Sequence, residues 1–407
     1  MSAAPMRRTS MVRQRLDPPI EFGKFLLTEQ IGEGGMAQAF RATTSWAEGV
    51  AKEVCVKRIL SPLAGDERMR AMFIQEARIA ASLTHANVVP VYEFGIVDEY
   101  YFLAMEYVDG YTLRDINMKC ARVKRWPEVA VVLHIISEAL EGLDYAHRKR
   151  DAEGQPLHIV HRDVTPGNVM ASVEGEVKIL DFGIALMASG PLPSSSAAEP
   201  PRGKPGYMSP EQAVGMAVDG RSDIYSVGVL LYELLTRRRL FRAKTVSERL
   251  RSAAEIVPPS ELNRQLGPNL DAIVLKALSP APAERHSTAA AFRDAVLDHL
   301  HVQGLRAGRS HVAQQLADLF GGSTVGVQSR AHSMGTIGEV GHLARPPEQA
   351  RRVRSERRIS TRVGPVSLHS TLRRARRNRR RGLLLGLLLL AVTGALAGAL
   401  LAMRGLV

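Results

Sequence analysis

The stretch from His161 to Gly183 constrains this chain more than any other. It reads His161-Arg162-Asp163-Val164-Thr165-Pro166-Gly167-Asn168, passes through the apolar run Val177-Lys178-Ile179-Leu180, and ends Asp181-Phe182-Gly183. Two carboxylates and a carboxamide are thus carried on loops beside strand-length apolar runs. Oxygen donors of this kind suit hard divalent cations, and a fold that gathers them can hold a metal, a polyphosphate and a hydroxyl nucleophile in one place. The remainder of the chain must then supply backbone amides for phosphate, a cation and a platform for a base.

Composition narrows the class. A chain of 407 residues accommodates one large two-lobed domain with extensions, or two to three small ones. Cys55 and Cys120 lie in unrelated contexts without metal-ligand spacing, which points to a reducing compartment and excludes a disulfide framework or zinc site. The formal charge of +13 suggests nucleic-acid binding only until it is mapped. Residues 351–381 contain thirteen arginines against one glutamate, and Arg7, Arg8, Arg13 and Arg15 crowd the start, so residues 17–350 are slightly acidic. Nucleic acid is not an expected partner of the globular part.

Taken in order, residues 1–20 are basic and polar, contain Pro18-Pro19, lack a secretory apolar core and read as an unstructured arm. From residue 21 a strand pattern meets Ile31-Gly32-Glu33-Gly34-Gly35-Met36-Ala37-Gln38-Ala39, where glycines between strands let amides approach phosphate oxygens. Val54-Cys55-Val56-Lys57 is an apolar strand ending in a lysine. The helical stretch Asp66 to Leu83 sets Glu76 beside an apolar face, where a cationic partner such as Lys57 would favour it. Strands are expected at Val88 to Tyr92 and Tyr101 to Tyr107. The second leads into Met105-Glu106-Tyr107-Val108-Asp109-Gly110, a strand broken by glycine before a long helical region, as a hinge between lobes requires. Pro127 opens a helix whose apolar residues recur at helical period from Val129 to Leu143, and Arg148 to Pro156 is a polar insertion. Beyond Gly183 lies a Ser/Pro/Ala segment with hydroxyls at Ser189, Ser194, Ser195 and Ser196, then Gly203-Lys204-Pro205-Gly206-Tyr207-Met208-Ser209-Pro210-Glu211. Ile224 to Leu235 is apolar almost all round, the mark of a helix central to a lobe, with Asp223 placed to cap it and to brace the His161 to Asn168 loop. A second helix is expected from Leu270 to Leu278, and an amphipathic one from Ser310 to Phe320 closes the domain.

In this order and spacing the motifs from Gly32 to Arg285 resemble those of the Hanks-type Ser/Thr protein kinases, most of all the bacterial membrane-bound ones. The resemblance implies an α+β, bilobal kinase fold over residues 21–302, with a small antiparallel β-rich lobe at 21–108, a mainly helical lobe at 109–302 and a closing helix at 303–321. It implies ATP, Mg²⁺ (or Mn²⁺ in its place) and protein Ser/Thr substrates. Asp163 would then orient the acceptor hydroxyl, and Asn168 and Asp181 would hold the metal ions. Glu76 would fix Lys57 on the phosphates. Ile31, Gly32, Glu33, Gly34, Gly35, Ala39, Cys55, Lys57, Met105, Glu106, Val108 and Met170 would surround the nucleotide. Glu211 would pair with a buried Arg285, and Arg162 would receive a phosphorylated Ser189, Ser194, Ser195 or Ser196.

Two departures coincide. The family usually carries Lys two residues after the catalytic Asp, where this chain has Thr165, and Thr where it has Lys204. The loss alone would favour a pseudokinase acting as a membrane scaffold. A reciprocal exchange would instead keep one ammonium and one hydroxyl beside Asp163, with Lys204 on the γ-phosphate. At the adenine roof Ala39 replaces a usual Val and Cys55 a usual Ala, so one loss of volume offsets one gain; Cys55 reads as a small buried hydrophobe.

Residues 322–381 lack apolar clusters and are Arg-rich, the profile of an unstructured linker. Gly382 to Met403 is a charge-free run of 22 residues, ten of them Leu, which spans about 30 Å of hydrocarbon at about 1.5 Å per residue. Seven arginines precede it between 373 and 381 and only Arg404 follows, which places the kinase-like part in the cytoplasm, anchored in the cell membrane with a four-residue outer tail and no outer sensor domain. Its small residues Gly394, Gly398 and Ala402 fall four apart and would support a homodimer, a lipid-facing helix being the alternative.

Overall fold

The structure, a computed structural model, describes residues 13–33, 37–45, 51–59, 74, 77–182, 204–243, 245–251 and 256–321. Expectations on Gly34, Gly35, Glu76, Gly183, Ser189, Ser194 to Ser196, the linker 322–381 and the apolar run 382–403 with Gly394, Gly398 and Ala402 lie outside the described residues. Among the described residues no helix is long and apolar enough to cross a membrane.

Strands of seven to nine residues, most of them carrying β-branched and aromatic residues, build the first lobe. β1 (Gln14–Phe22), β2 (Phe25–Glu33), β3 (Ala37–Ser45), β4 (Ala51–Ile59), β5 (Val91–Val97) and β6 (Tyr100–Glu106) form one antiparallel sheet in the order β1-β2-β3-β4-β6-β5. Period-2 alternation sends Leu27, Phe40, Val54 and Val56 inward, where Phe102 receives Phe22 and Phe25 edge-on at 5.7 and 5.3 Å.

Two boundaries differ from the sequence expectation. Residues 14–20, read as part of an unstructured arm, are instead most of β1. Its prolines fall between Arg15 and Ile20, where the register with β2 shifts, and an edge strand tolerates proline at such an irregularity. β5 begins at Val91 rather than Val88. Val88 makes an isolated parallel bridge to Ile179, and the Val89 amide donates to the Ile179 carbonyl, so this segment ties the two lobes together. The insertion at 148–156 closes on itself by a bridge between Arg150 and Pro156.

A short sheet, β7 (Gly110–Thr112), β8 (Val169–Ser172) and β9 (Val177–Ile179), starts the second lobe. Around it lie α1 (Leu113–Val123), α2 (Val129–His147), α3 (Pro210–Ala213), α4 (Gly220–Thr236), α5 (Val246–Arg251), α6 (Pro259–Leu262), α7 (Pro268–Ala277), α8 (Ala289–Val302) and α9 (Arg309–Phe320). α4 is buried on every side, as its continuous apolar run requires. Its N-cap is Asp219, whose carboxylate accepts from the Arg221 amide, and not Asp223. Asp223 sits one turn in and points at the catalytic loop, so the bracing half of its expected role is the half the structure realises.

Candidate active site

Asp223 organises the site from beneath. Fully buried, its carboxylate accepts from the amides of His161 and Arg162, both at 2.8 Å, and from His147 Nε2 at 2.8 Å. Burial pushes this acid upward, yet the His147 bond, the electrostatic pull of the two imidazoles and the His161 amide outweigh burial and hold it below the usual carboxylate range. Arg162 takes φ +64°, a sparsely populated conformation for a side chain of its size. It is held from both sides, its amide on Asp223 and its carbonyl accepting from Gln212 Nε2 at 2.7 Å.

His161 carries the next link. Its Nε2 lies 2.9 Å from the Leu180 carbonyl and its Nδ1 faces the Asp163 amide at 3.3 Å, which selects the Nε2–H tautomer. Thus one buried imidazole fixes the Asp163 backbone against the strand that delivers Asp181. Asp181 itself takes φ +51° and pairs with Lys57, Nζ to Oδ2 2.8 Å. The expected partner of Lys57, Glu76, lies outside the described residues.

Asp163 is held on both oxygens. Oδ2 accepts from Asn168 Nδ2 at 2.9 Å, and that same nitrogen donates to the Asp163 carbonyl at 2.8 Å; Oδ1 accepts from the Lys204 amide at 3.2 Å. The amide nitrogen of Asn168 being so engaged, its carbonyl oxygen is the group left for a metal. Together with the Asp181 carboxylate it makes a hard, oxygen-only donor set, which fits a divalent ion of the Mg²⁺ or Mn²⁺ type.

The two departures meet. Lys204 Nζ donates to Thr165 Oγ1 at 3.1 Å, although 39 residues separate them in sequence. Gly167 makes room for the pair, since a Cβ there would stand 3.3 Å from the Lys204 ammonium. Thr165 is wholly buried. Burial pulls Lys204 below the usual lysine value, opposed by Asp163 and Asp181 and reinforced by Arg114 and Arg239.

The residues expected to surround the nucleotide are gathered by register. β3 pairs Ala39 with Lys57, and β4 pairs Cys55 with Met105, so these four residues share one face of the sheet. Cys55, Met105, Val108, Met170 and Leu180 belong to a single apolar cluster, which places roof, back wall, hinge and floor against one another. Desolvation pushes the Cys55 thiol up to about 12, with Asp181 adding and Lys57 opposing. Ile31, Gly32 and Glu33 end β2 above this face, where Gly32 pairs with Ala39. The hinge carboxylate of Glu106 accepts from Lys178 Nζ at 2.8 Å, a nearly buried lysine three residues before Asp181. Sequence reasoning missed that pair because both residues sit in ordinary strand positions; nothing in either local pattern signals the other.

Farther out, Arg285 grips Glu211 with two parallel bonds of 2.8 Å while Ser222 Oγ adds a third at 2.6 Å. Burial raises Glu211, but these bonds together hold it below the usual value. The expected pairing is therefore present in bidentate form.

With this geometry in hand, comparison with known proteins decides the family. The family model described as protein kinase domain matches residues 25–297. This chain belongs to the protein kinase family. It is 37% identical over 320 residues to the tyrosine-protein kinase MasK of Myxococcus xanthus, covering 78% of this chain and 49% of MasK. It is 36% identical over 283 residues to the serine/threonine-protein kinase PknB of Mycobacterium leprae, covering 68% of this chain and 43% of PknB. The chain thus spans less than half the length of these two relatives. Among solved structures, the PknI kinase domain of Mycobacterium tuberculosis superposes with a TM-score of 0.53 at 25% identity, over 70% of this chain and 99% of that domain. The bilobal fold is that of the family, and the family's use of ATP and a divalent metal accounts for the donor set described above.

Proposed function

We propose that this chain is an active serine/threonine protein kinase in which Lys204 supplies the ammonium that the family usually carries on its catalytic loop. The observation that carries the proposal is the Lys204 Nζ to Thr165 Oγ1 contact at 3.1 Å beside Asp163. An acceptor hydroxyl placed against Asp163 attacks the γ-phosphorus, the bond to the β,γ-bridging oxygen breaks, ADP departs, and the hydroxyl proton passes to the Asp163 carboxylate. Lys204 offsets charge gathering on the transferred group, while Thr165 orients the ammonium. Lys57 holds the α- and β-phosphates, and Asn168 and Asp181 hold Mg²⁺. When bound, a divalent metal held there would supply charge neutralisation at the phosphates.

Serine and threonine are the proposed acceptors, in line with PknB, a Ser/Thr kinase by name; MasK is by name a tyrosine kinase. Phosphoamino-acid analysis of the autophosphorylated full-length chain, with Asp163→Asn as the inactive control, separates the two. Lys204→Ala is expected to lower kcat by about 100-fold or more, the scale of one lost electrostatic stabiliser. The exchanged pair Thr165→Lys with Lys204→Thr should recover most of that loss. Parent-like activity in Lys204→Ala would refute the assignment. The membrane reading of 382–403 joins this proposal, and sedimentation of the full-length chain with membranes that resist carbonate extraction is its test.

A further inference from the structure

The two ends of the described domain converge on the pair of residues that leaves the hinge. Neither end belongs to the stretch that the family model matches, residues 25–297. At one end Arg13, just ahead of β1, donates from Nη2 to the Gly110 carbonyl at 3.1 Å. At the other, Phe320 closes α9 and stacks its ring on Tyr111, centroids 3.6 Å apart and planes 6° from parallel. Gly110 and Tyr111 follow the hinge residues Glu106 to Val108 after a single residue, Asp109, and both pair with β8.

α9 is no loose tail. Val312, Leu316 and Leu319 are buried in the core of the second lobe. Its first turn rests on the β8–β9 turn, where Arg309 pairs with Glu176 and the Arg309 carbonyl fills the space a Cβ on Gly175 would need, 1.9 Å away. Its last turn is fixed by Asp318 to Arg125 at 2.8 Å and by Lys119 over the Phe320 ring at 5.4 Å. One helix therefore touches the small sheet at both ends, at β7 beside the hinge and at the turn joining β8 to β9. Between those points β8 carries Met170, the pocket floor, and β9 leads into Asp181. The stacked rings bind the end of the helix to the sheet beside the hinge.

We infer that Arg13 and Phe320 are positioning residues that clamp Gly110 and Tyr111 from opposite ends of the chain, and so set the hinge and floor against which ATP binds. The inference rests on the proposed nucleotide site. Its energetic logic is preorganisation: a hinge already held in its binding geometry loses less freedom when the nucleotide arrives, which acts on affinity rather than on the chemical step.

The test is steady-state kinetics of the full-length chain with varied MgATP and saturating protein acceptor, with thermal melts alongside. Phe320→Ala and Arg13→Ala are each expected to raise the KM for MgATP about three- to tenfold with kcat within about twofold, the pattern of lost binding shared by ground and transition states. Phe320→Tyr should restore the parent KM. Arg13 is exposed and outside the core, so its variant folds even if Phe320→Ala does not. Parent KM values in the folded variants, accompanied only by lower melting temperatures, would overturn the clamp and leave the kinase reading intact. A parent chain that neither binds MgATP nor transfers phosphate would instead overturn the kinase reading.

Discussion

Asp223 is a single buried carboxylate on which two backbone amides and an imidazole depend. Asp223→Ala leaves those donors buried without an acceptor, at about 1–3 kcal/mol for each unpaired group. Chemical denaturation should show a loss of about 3 kcal/mol or more, with activity falling further because Arg162 and Asp163 lose their footing. Lys204 yields a pH prediction. Because burial lowers its pKa, the working ammonium is lost as pH rises through a value below that of an ordinary lysine. The alkaline limb of kcat/KM should therefore set in earlier than a solvent-exposed lysine would give, and the exchanged variant, with its ammonium on the catalytic loop, should move it. Cys55 has the opposite character. With its thiol raised to about 12 it carries almost no thiolate at neutral pH, so iodoacetamide should modify it in the unfolded chain far faster than in the folded one.

At the scale of elements, α3 and α4 are fastened by Glu211, Arg285 and Ser222. Glu211 has a folded pKa below its ordinary 4.5. Its contribution to stability is complete above that ordinary value and is lost as pH falls through the lower folded one. Glu211→Gln should thus flatten the acid limb of the melting temperature between about pH 5 and 3 while lowering stability at pH 7. Elements of this kind were legible from residues because each announces itself locally. The all-round apolar run gives α4, the Asp-Phe-Gly and His-Arg-Asp segments give the loops, and helical period gives α2 and α9. What was not legible depends on partners far apart. Pro18-Pro19 argue against a strand until the register shift on β2 is seen, Asp223 reads as the cap of α4 until the helix is found to begin a turn earlier and the catalytic loop claims that carboxylate, and the hinge pair Glu106 and Lys178 is separated by 72 residues.

For the whole molecule, the matched family segment is shorter than the unit that folds, which extends from β1 to α9. The position of Lys204 has a consequence at this scale. Where the charge-neutralising lysine sits on the catalytic loop, it stays with the catalytic Asp whatever the rest of the chain does. Here it arrives from the far side of the segment that follows Asp181, 41 residues beyond Asp163. With Lys204 as the cation, one hydrogen bond to the Asp163 carboxylate and the phosphate charge come from one residue and leave together. A kinase so built would lose its γ-phosphate cation and a partner of its catalytic carboxylate in the same movement.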